Sequence, residues 1–268
     1  MKNRSGLLLY AVLYIVFLYL PIALLPLFSF NDAVTPSFPL SGFTARWYQA
    51  LGEEPELRDA LLNSLQVAAT TSVFATLLGA CAARAFTRYK FRGKPAAQGV
   101  ILAPLFLPEI LVGISMLVVL LWLGFELSLA TVVLGHVLAC LPYCVTVLLS
   151  SFEGFDVTLE EASADLGEGP LGTLWRVILP IVMPGIISSL IVSFTISLDE
   201  FVLAFFLSGD EATLPIYIWG QLRFAAKLPV VMALGSLMLL ASIGLLIISE
   251  IVRRRGERRL QPSGSAIP

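Results

Sequence analysis

Six apolar runs, each long enough to cross a bilayer, constrain this chain more than any other feature. A spanning helix needs about 20 mostly apolar residues to cross a hydrocarbon core about 30 Å thick. Such runs fall at about residues 7–30, 61–83, 97–123, 127–149, 181–207 and 228–251. Of the 268 residues 57% are hydrophobic and only 13% charged, with a mean hydropathy of +0.88. A soluble domain carries about 25% charged residues. The expected class is therefore an all-α integral membrane protein. Residues 1–260 form one six-helix domain in this reading, with 261–268 as a disordered tail. A net charge of −2 offers no basic surplus for nucleic acid. Three cysteines, all in apolar runs, are too few for a disulfide scaffold.

Lys and Arg gather on the cytoplasmic side of membrane proteins. With a cytoplasmic N-terminus, thirteen of them fall inside and four outside. Six spans with both termini inside satisfy that count. The first run carries Lys2 and Arg4 ahead of it like a signal peptide, but it is too long, lacks a small-x-small cleavage site, and reads as an uncleaved anchor. The acidic loop 31–60 is then external. So is 208–227, whose Leu214, Ile216, Ile218, Trp219 and Leu222 place it on the membrane surface or against the bundle. Residues 150–180 form a long cytoplasmic loop.

That loop carries the most informative pattern. Thr158 and Glu161 have the T-x-x-E spacing of a helix-starting capping box. Glu160, Glu161 and Asp165 suit a helix N-terminal half. Leu159, Ala162, Ser163 and Leu166 share one weakly apolar face, and Gly167 is placed to end the helix. A second helix is expected over about 171–179, stopping at Pro180. The loop thus reads as a short acidic helix and turn, shaped to dock in a groove on a partner.

The spacing Glu161-Ala162-Ser163, Gly167, Val177, Leu179-Pro180 resembles the E-A-A-x3-G-x9-I-x-L-P motif of binding-protein-dependent ABC importer permeases. Ser163 replaces the second Ala and Val177 the Ile. Asn63-Ser64-Leu65 resembles the family's first core segment. The run from Ser193 to Val202, and Pro108-Glu109 followed by Gly113-Ile114-Ser115, are most similar to the spermidine/putrescine permeases. The resemblance implies a type I importer permease of the bacterial inner membrane. It implies a second related permease, two cytoplasmic ATPases that receive the coupling helix, a periplasmic binding protein, and alternating access. Glu161, Ala162, Ser163, Leu166, Gly167, Leu179 and Pro180 would then couple this chain to the ATPases. No cofactor is expected on this chain, because ATP and Mg would sit on the partner. The one Gly-Lys pair, Gly93-Lys94, lacks a Walker loop: Pro95 follows it and Arg88 stands where the first glycine belongs.

Ionisable groups in a bilayer cost at least about 2.5 kcal/mol, so they have a partner or a task. Glu109 falls near the middle of the third run, beside Pro104 and Pro108. Asp199 and Glu200 fall late in the fifth, pointing about 100° apart. Thr195 lies one turn from Asp199, and Ser189 and Ser193 share the Glu200 face. No Lys or Arg is expected inside a span. These acids suit a cationic cargo, with Asp199, Glu200, Glu109 and Thr195 as pathway candidates. A structural role beside the kink for Glu109, or an interfacial position for Asp199 and Glu200, is the plainer alternative. His136, Cys140 and Cys144 stand i, i+4, i+8 on the fourth run. Soft metals favour such donors, but buried cysteine behaves as a small apolar residue, and no metal site is assigned. Other cargoes (an amino acid, opine, anion or metal), an intramembrane enzyme or metal-binding protein, and an ATP-independent channel are the rival readings.

Overall fold

The computed structural model describes residues 3–260, with side chains over 6–244. The expected tail at 261–268 lies outside the described residues. The elements are α1 (Asn3–Ser29), α2 (Arg46–Gly52), α3 (Pro55–Arg88), α4 (Lys94–Leu102), α5 (Glu109–Trp122), α6 (Leu129–Glu153), α7 (Thr158–Asp165), α8 (Pro170–Thr173), α9 (Leu179–Asp199), α10 (Val202–Leu207), α11 (Leu214–Gln221) and α12 (Leu228–Leu260). Among the described residues the only strand-like pairing is an isolated bridge between Asn31 and Phe43.

Among the described residues five helices are long and apolar enough to cross a membrane: Gly6–Ser29, Pro55–Arg88, Leu129–Glu153, Pro170–Asp199 and Ala225–Gly244. The third apolar run, read as a span over 97–123, is not one continuous helix; counted as one broken span it brings the candidate spans among the described residues to six. Lys94–Phe106 and Glu109–Trp122 meet at a bend of 108°. The prolines explain it. Pro104 lies in a 3-10 turn over Ala103–Phe106, and Leu107 is extended, with ψ 140°, because it precedes Pro108. Pro108, which has no N–H to lose, then starts α5.

The fifth run also breaks. Glu200 is extended (φ −69°, ψ 112°), and α10 begins beyond it. No proline or glycine stands at this break. The Glu200 carboxylate instead turns back to accept the Leu203 N–H at 2.9 Å, a local bond that competes with continuing the helix.

The chain divides into two compact units, Met1–Pro55 with Ile218–Pro268, and Glu56–Tyr217. In the first, α1 packs along α12. Tyr48 of α2 hydrogen-bonds Ser29 at the end of α1 and Ser236 of α12. Asn31, almost fully buried, anchors the following loop through Ser41 and Trp47.

In the second unit α6 is the central helix. Its His136, Cys140 and Cys144 are all buried: the first two face Ser197 and Ser193 of α9, and Cys144 lies against Thr76 and Gly79 of α3. His136 Nδ1 lies 2.8 Å from Ser197 Oγ. The Cys140 thiol donates to the Ser193 carbonyl at 3.6 Å, and Thr76 of α3 pairs with Ser189 at 3.1 Å. The facing residues are spaced four apart on each helix, so small polar side chains let α6 and α9 approach along this stretch. Gly185 of α9 sits where a side chain would meet Ser151. Outside this seam, Val67, Leu120, Val132, Leu203, Ala204 and Leu207 form the core that fixes α10 against α5 and α6. The Leu214 N–H donates to Ser64 Oγ at 2.7 Å, and Leu214 and Tyr217 are buried, so the start of α11 packs onto protein.

A Cβ on Gly79 would lie 2.8 Å from the Cys144 Cβ. Gly79→Leu is therefore expected to overpack the contact between α3 and α6 and destabilise the protein by about 1–3 kcal/mol. The check is the thermal unfolding midpoint of detergent-purified protein; an unchanged midpoint would show that these helices separate there at no cost.

Candidate functional site

Two sites come out of this fold. The first is the hairpin between α6 and α9. The expected capping box does not form. Val157 is the N-cap and offers no side-chain bond, while Thr158 is already helical and donates its N–H to Asp156 Oδ1 at 3.0 Å. An aspartate two residues upstream reaches that N–H first, leaving the Glu161 carboxylate out of the cap and its residue exposed. The bond from Thr158 holds the Asp156 carboxyl below its ordinary value, so the cap persists at neutral pH and is lost only on acidification.

The expected apolar face of α7 is not turned onto the chain. Ser163 alone of that face is buried, its hydroxyl 3.0 Å from Thr173 of α8. Leu166 is 86% exposed, and Leu159, Ala162 and Glu161 are exposed too. Gly167 ends α7 at φ +88°. Its N–H bonds the Ala164 carbonyl, and the Glu168 N–H bonds the Ser163 carbonyl, the two bonds of a Schellman turn.

The second helix of the hairpin does not stop at Pro180. It continues from Pro170 through a π-helical turn over Leu174–Ile178 into α9, as one 30-residue helix. The wide turn lies just ahead of Pro180, where the regular ladder would lack a donor. Leu179 is half-buried and Pro180 exposed. Leu171 and Trp175 of this helix are exposed, as Leu166 is.

The second site is a small pocket of about 90 Å³ where the two broken helices meet. Glu109, in the first turn of α5, and Glu200, between α9 and α10, both line it, with Tyr143 of α6 among the walls and no Lys or Arg. The structure thus brings Glu109 and Glu200 together and leaves Asp199 and Thr195 apart from them, both exposed and one turn from each other on α9. The Thr195 hydroxyl is occupied by the Ile191 carbonyl. The break at Glu200 carries no proline or glycine to announce it; the only sign in the sequence is an Asp-Glu pair inside an apolar run. Broken helices at membrane depth are tolerated where they border a cavity, and they commonly mark transport sites. Among the described residues no three His, Cys, Asp or Glu side chains are placed to hold a metal ion.

Residues 75–261 match the family described as binding-protein-dependent transport system inner membrane component. The chain belongs to this family. The permease is 35% identical over 241 residues to the spermidine/putrescine transport system permease protein PotC of Escherichia coli strain K12, covering 89% of this chain and 90% of that one. It is 35% identical over 231 residues to the putrescine transport system permease protein PotI of the same organism, covering 83% and 82%. The PotC of Haemophilus influenzae is 34% identical over 242 residues. In fold the permease resembles a chain of a bacterial ABC transporter that imports the acidic polysaccharide alginate, with TM-score 0.72 and 18% identity over 95% of this chain and 97% of that one. A second such structure, in complex with an alginate pentasaccharide-bound periplasmic protein, gives TM-score 0.67 at 16% identity. The permease is thus a multi-pass inner membrane transport subunit with the architecture of an ABC importer permease.

Proposed function

We propose that this permease forms half of the translocation pathway for a polyamine, spermidine or putrescine, handed over by a periplasmic binding protein. A second related permease completes the pathway, and two cytoplasmic ATPases, which hold ATP and Mg, drive alternating access. Both termini and the hairpin from α7 to α8 face the cytoplasm in this reading, and the bend between α4 and α5 lies within the membrane.

The observation that carries the cargo is the pocket where Glu109 and Glu200 converge without a basic neighbour. A polyamine sheds water from each ammonium as it enters the membrane and needs carboxylates in return. Relatives named for spermidine and putrescine transport support the same cargo. The alginate importers share the fold at 18% identity or less, which says nothing of cargo, and a polyanion would meet two acids and no cation in this pocket. Asp199 belongs to the pathway by another argument. An exposed carboxylate in a spanning helix is costly against lipid, so the face with Asp199 and Thr195 turns to the second permease or to water.

The test is uptake by the whole importer in proteoliposomes, with labelled spermidine, putrescine, an amino acid and an alginate oligosaccharide offered in turn. Uptake of a polyamine that requires ATP and the binding protein is the expected result. Uptake of another cargo with none of either polyamine would overturn the reading.

A further inference from the structure

The hairpin reaches the spans by two routes. One is covalent: α8 runs without a break into α9. The other is ionic. Glu160, in the first turn of α7, places Oε1 2.6 Å from Arg84 Nη2 and Oε2 3.1 Å from Arg88 Nε. The two arginines are four residues apart near the end of α3, so they stand one above the other on a single helix face. Oε2 accepts a hydrogen bond from Arg88, while Oε1 is held to Arg84 by charge contact without a well-aligned hydrogen bond. The Glu160 side chain is 12% exposed and that of Arg84 is 23% exposed, unlike the freely solvated pairs that contribute little.

We infer that Glu160 is a positioning residue that ties the coupling hairpin to α3, so that displacement of α7 is passed into α3 as well as α9. What α3 touches gives the tie its reach. Its 34 residues extend about 50 Å at 1.5 Å per residue. Midway, Thr76 bonds Ser189 of α9. At the far end Ser64 accepts the Leu214 N–H, and the Asn63 amide donates to the Ala212 carbonyl at 3.0 Å. A pull on Arg84 and Arg88 thus reaches the segment that leads into α11, on the opposite side of the membrane. Glu161, the next residue, is exposed and lines the same groove as Arg84, Arg88 and Glu160, so it stands open to a partner while Glu160 holds its own chain. The inference rests on the proposed coupling of α7 to an ATPase.

The experiment compares Glu160→Gln with wild type in the reconstituted importer, measuring co-purification of the ATPase, ATP hydrolysis and polyamine uptake in parallel. The expected result is that the ATPase still binds and hydrolyses ATP while uptake per ATP falls at least about ten-fold. A triple variant, Glu160→Arg with Arg84→Glu and Arg88→Glu, restores the attraction with its sign reversed and is expected to recover most of that ratio. Wild-type uptake per ATP in Glu160→Gln overturns the tie. So does loss of folding in the single variant that the triple variant fails to rescue. Failure of the wild-type chain to hold an ATPase at all strikes the coupling reading instead, and the two failures are read in different lanes of the same experiment.

Discussion

Gly167→Val is expected to abolish ATP-driven uptake while the protein still inserts and folds in the membrane. The cause is backbone conformation, not crowding, because nothing lies within 4 Å of where the Cβ would stand. Gly167 adopts φ +88°, a region that costs an ordinary L-residue about 1–2 kcal/mol and a β-branched one more. The Schellman turn it closes holds α7 against α8, helped by the bond from Ser163 to Thr173. Relief of the strain unwinds that turn and swings an eight-residue helix whose exposed Leu166 sits beside the glycine. Membrane insertion depends on apolar runs elsewhere and is unaffected. Co-purification of the ATPase and uptake are both expected to fall by at least about ten-fold. Gly167→Asn keeps much of both, since asparagine tolerates the left-handed region. Wild-type uptake in Gly167→Val would remove this turn from the coupling machinery.

The features legible in the sequence are those that depend on composition or on one residue's intrinsic geometry. Apolar runs announce spans because desolvation is nearly additive along a helix, and Gly167 announces a helix end because few residues accept its φ. The stripe of His136, Cys140 and Cys144 was visible as a period, as were Ser189 and Ser193. The pairing of His136 and Cys140 with Ser197 and Ser193 across α6 and α9 was not, because no local rule says which two stripes will meet. The same limit hid the tie from Glu160 to Arg84 and Arg88, which spans more than 70 residues. The cap of α7 misled for a different reason. T-x-x-E is a sound signal, yet Asp156 lies two residues ahead and competes for the same N–H. The bend in the third run was foreshadowed by Pro104 and Pro108. The break at Glu200 was not, since a carboxylate that captures its own chain three residues on looks, in sequence, like any acid in a helix.

That break shapes the second large effect, expected for Glu109→Gln combined with Glu200→Gln. Each substitution removes a charge and keeps the shape. The Glu200 carboxylate also holds the Leu203 N–H at the start of α10, and a glutamine carbonyl can accept that bond in its place. The double variant is thus expected to keep its fold and its ATPase partner. A charged hydrogen bond contributes about 1.5–3 kcal/mol, so losing one at each carboxylate slows polyamine uptake by about ten-fold to a hundred-fold per site. The Michaelis constant for delivery by the binding protein changes little if the acids act after handover. Glu200→Ala separates the two roles of that residue: it loses the bond to Leu203 as well as the charge, and its thermal midpoint falls where that of Glu200→Gln does not. Asp199→Asn, on a different face of α9, is read against the same assay. If the double variant carries polyamine at the wild-type rate while Asp199→Asn does not, the cargo passes along the exposed face of α9, and the pocket between the broken helices is a structural joint alone.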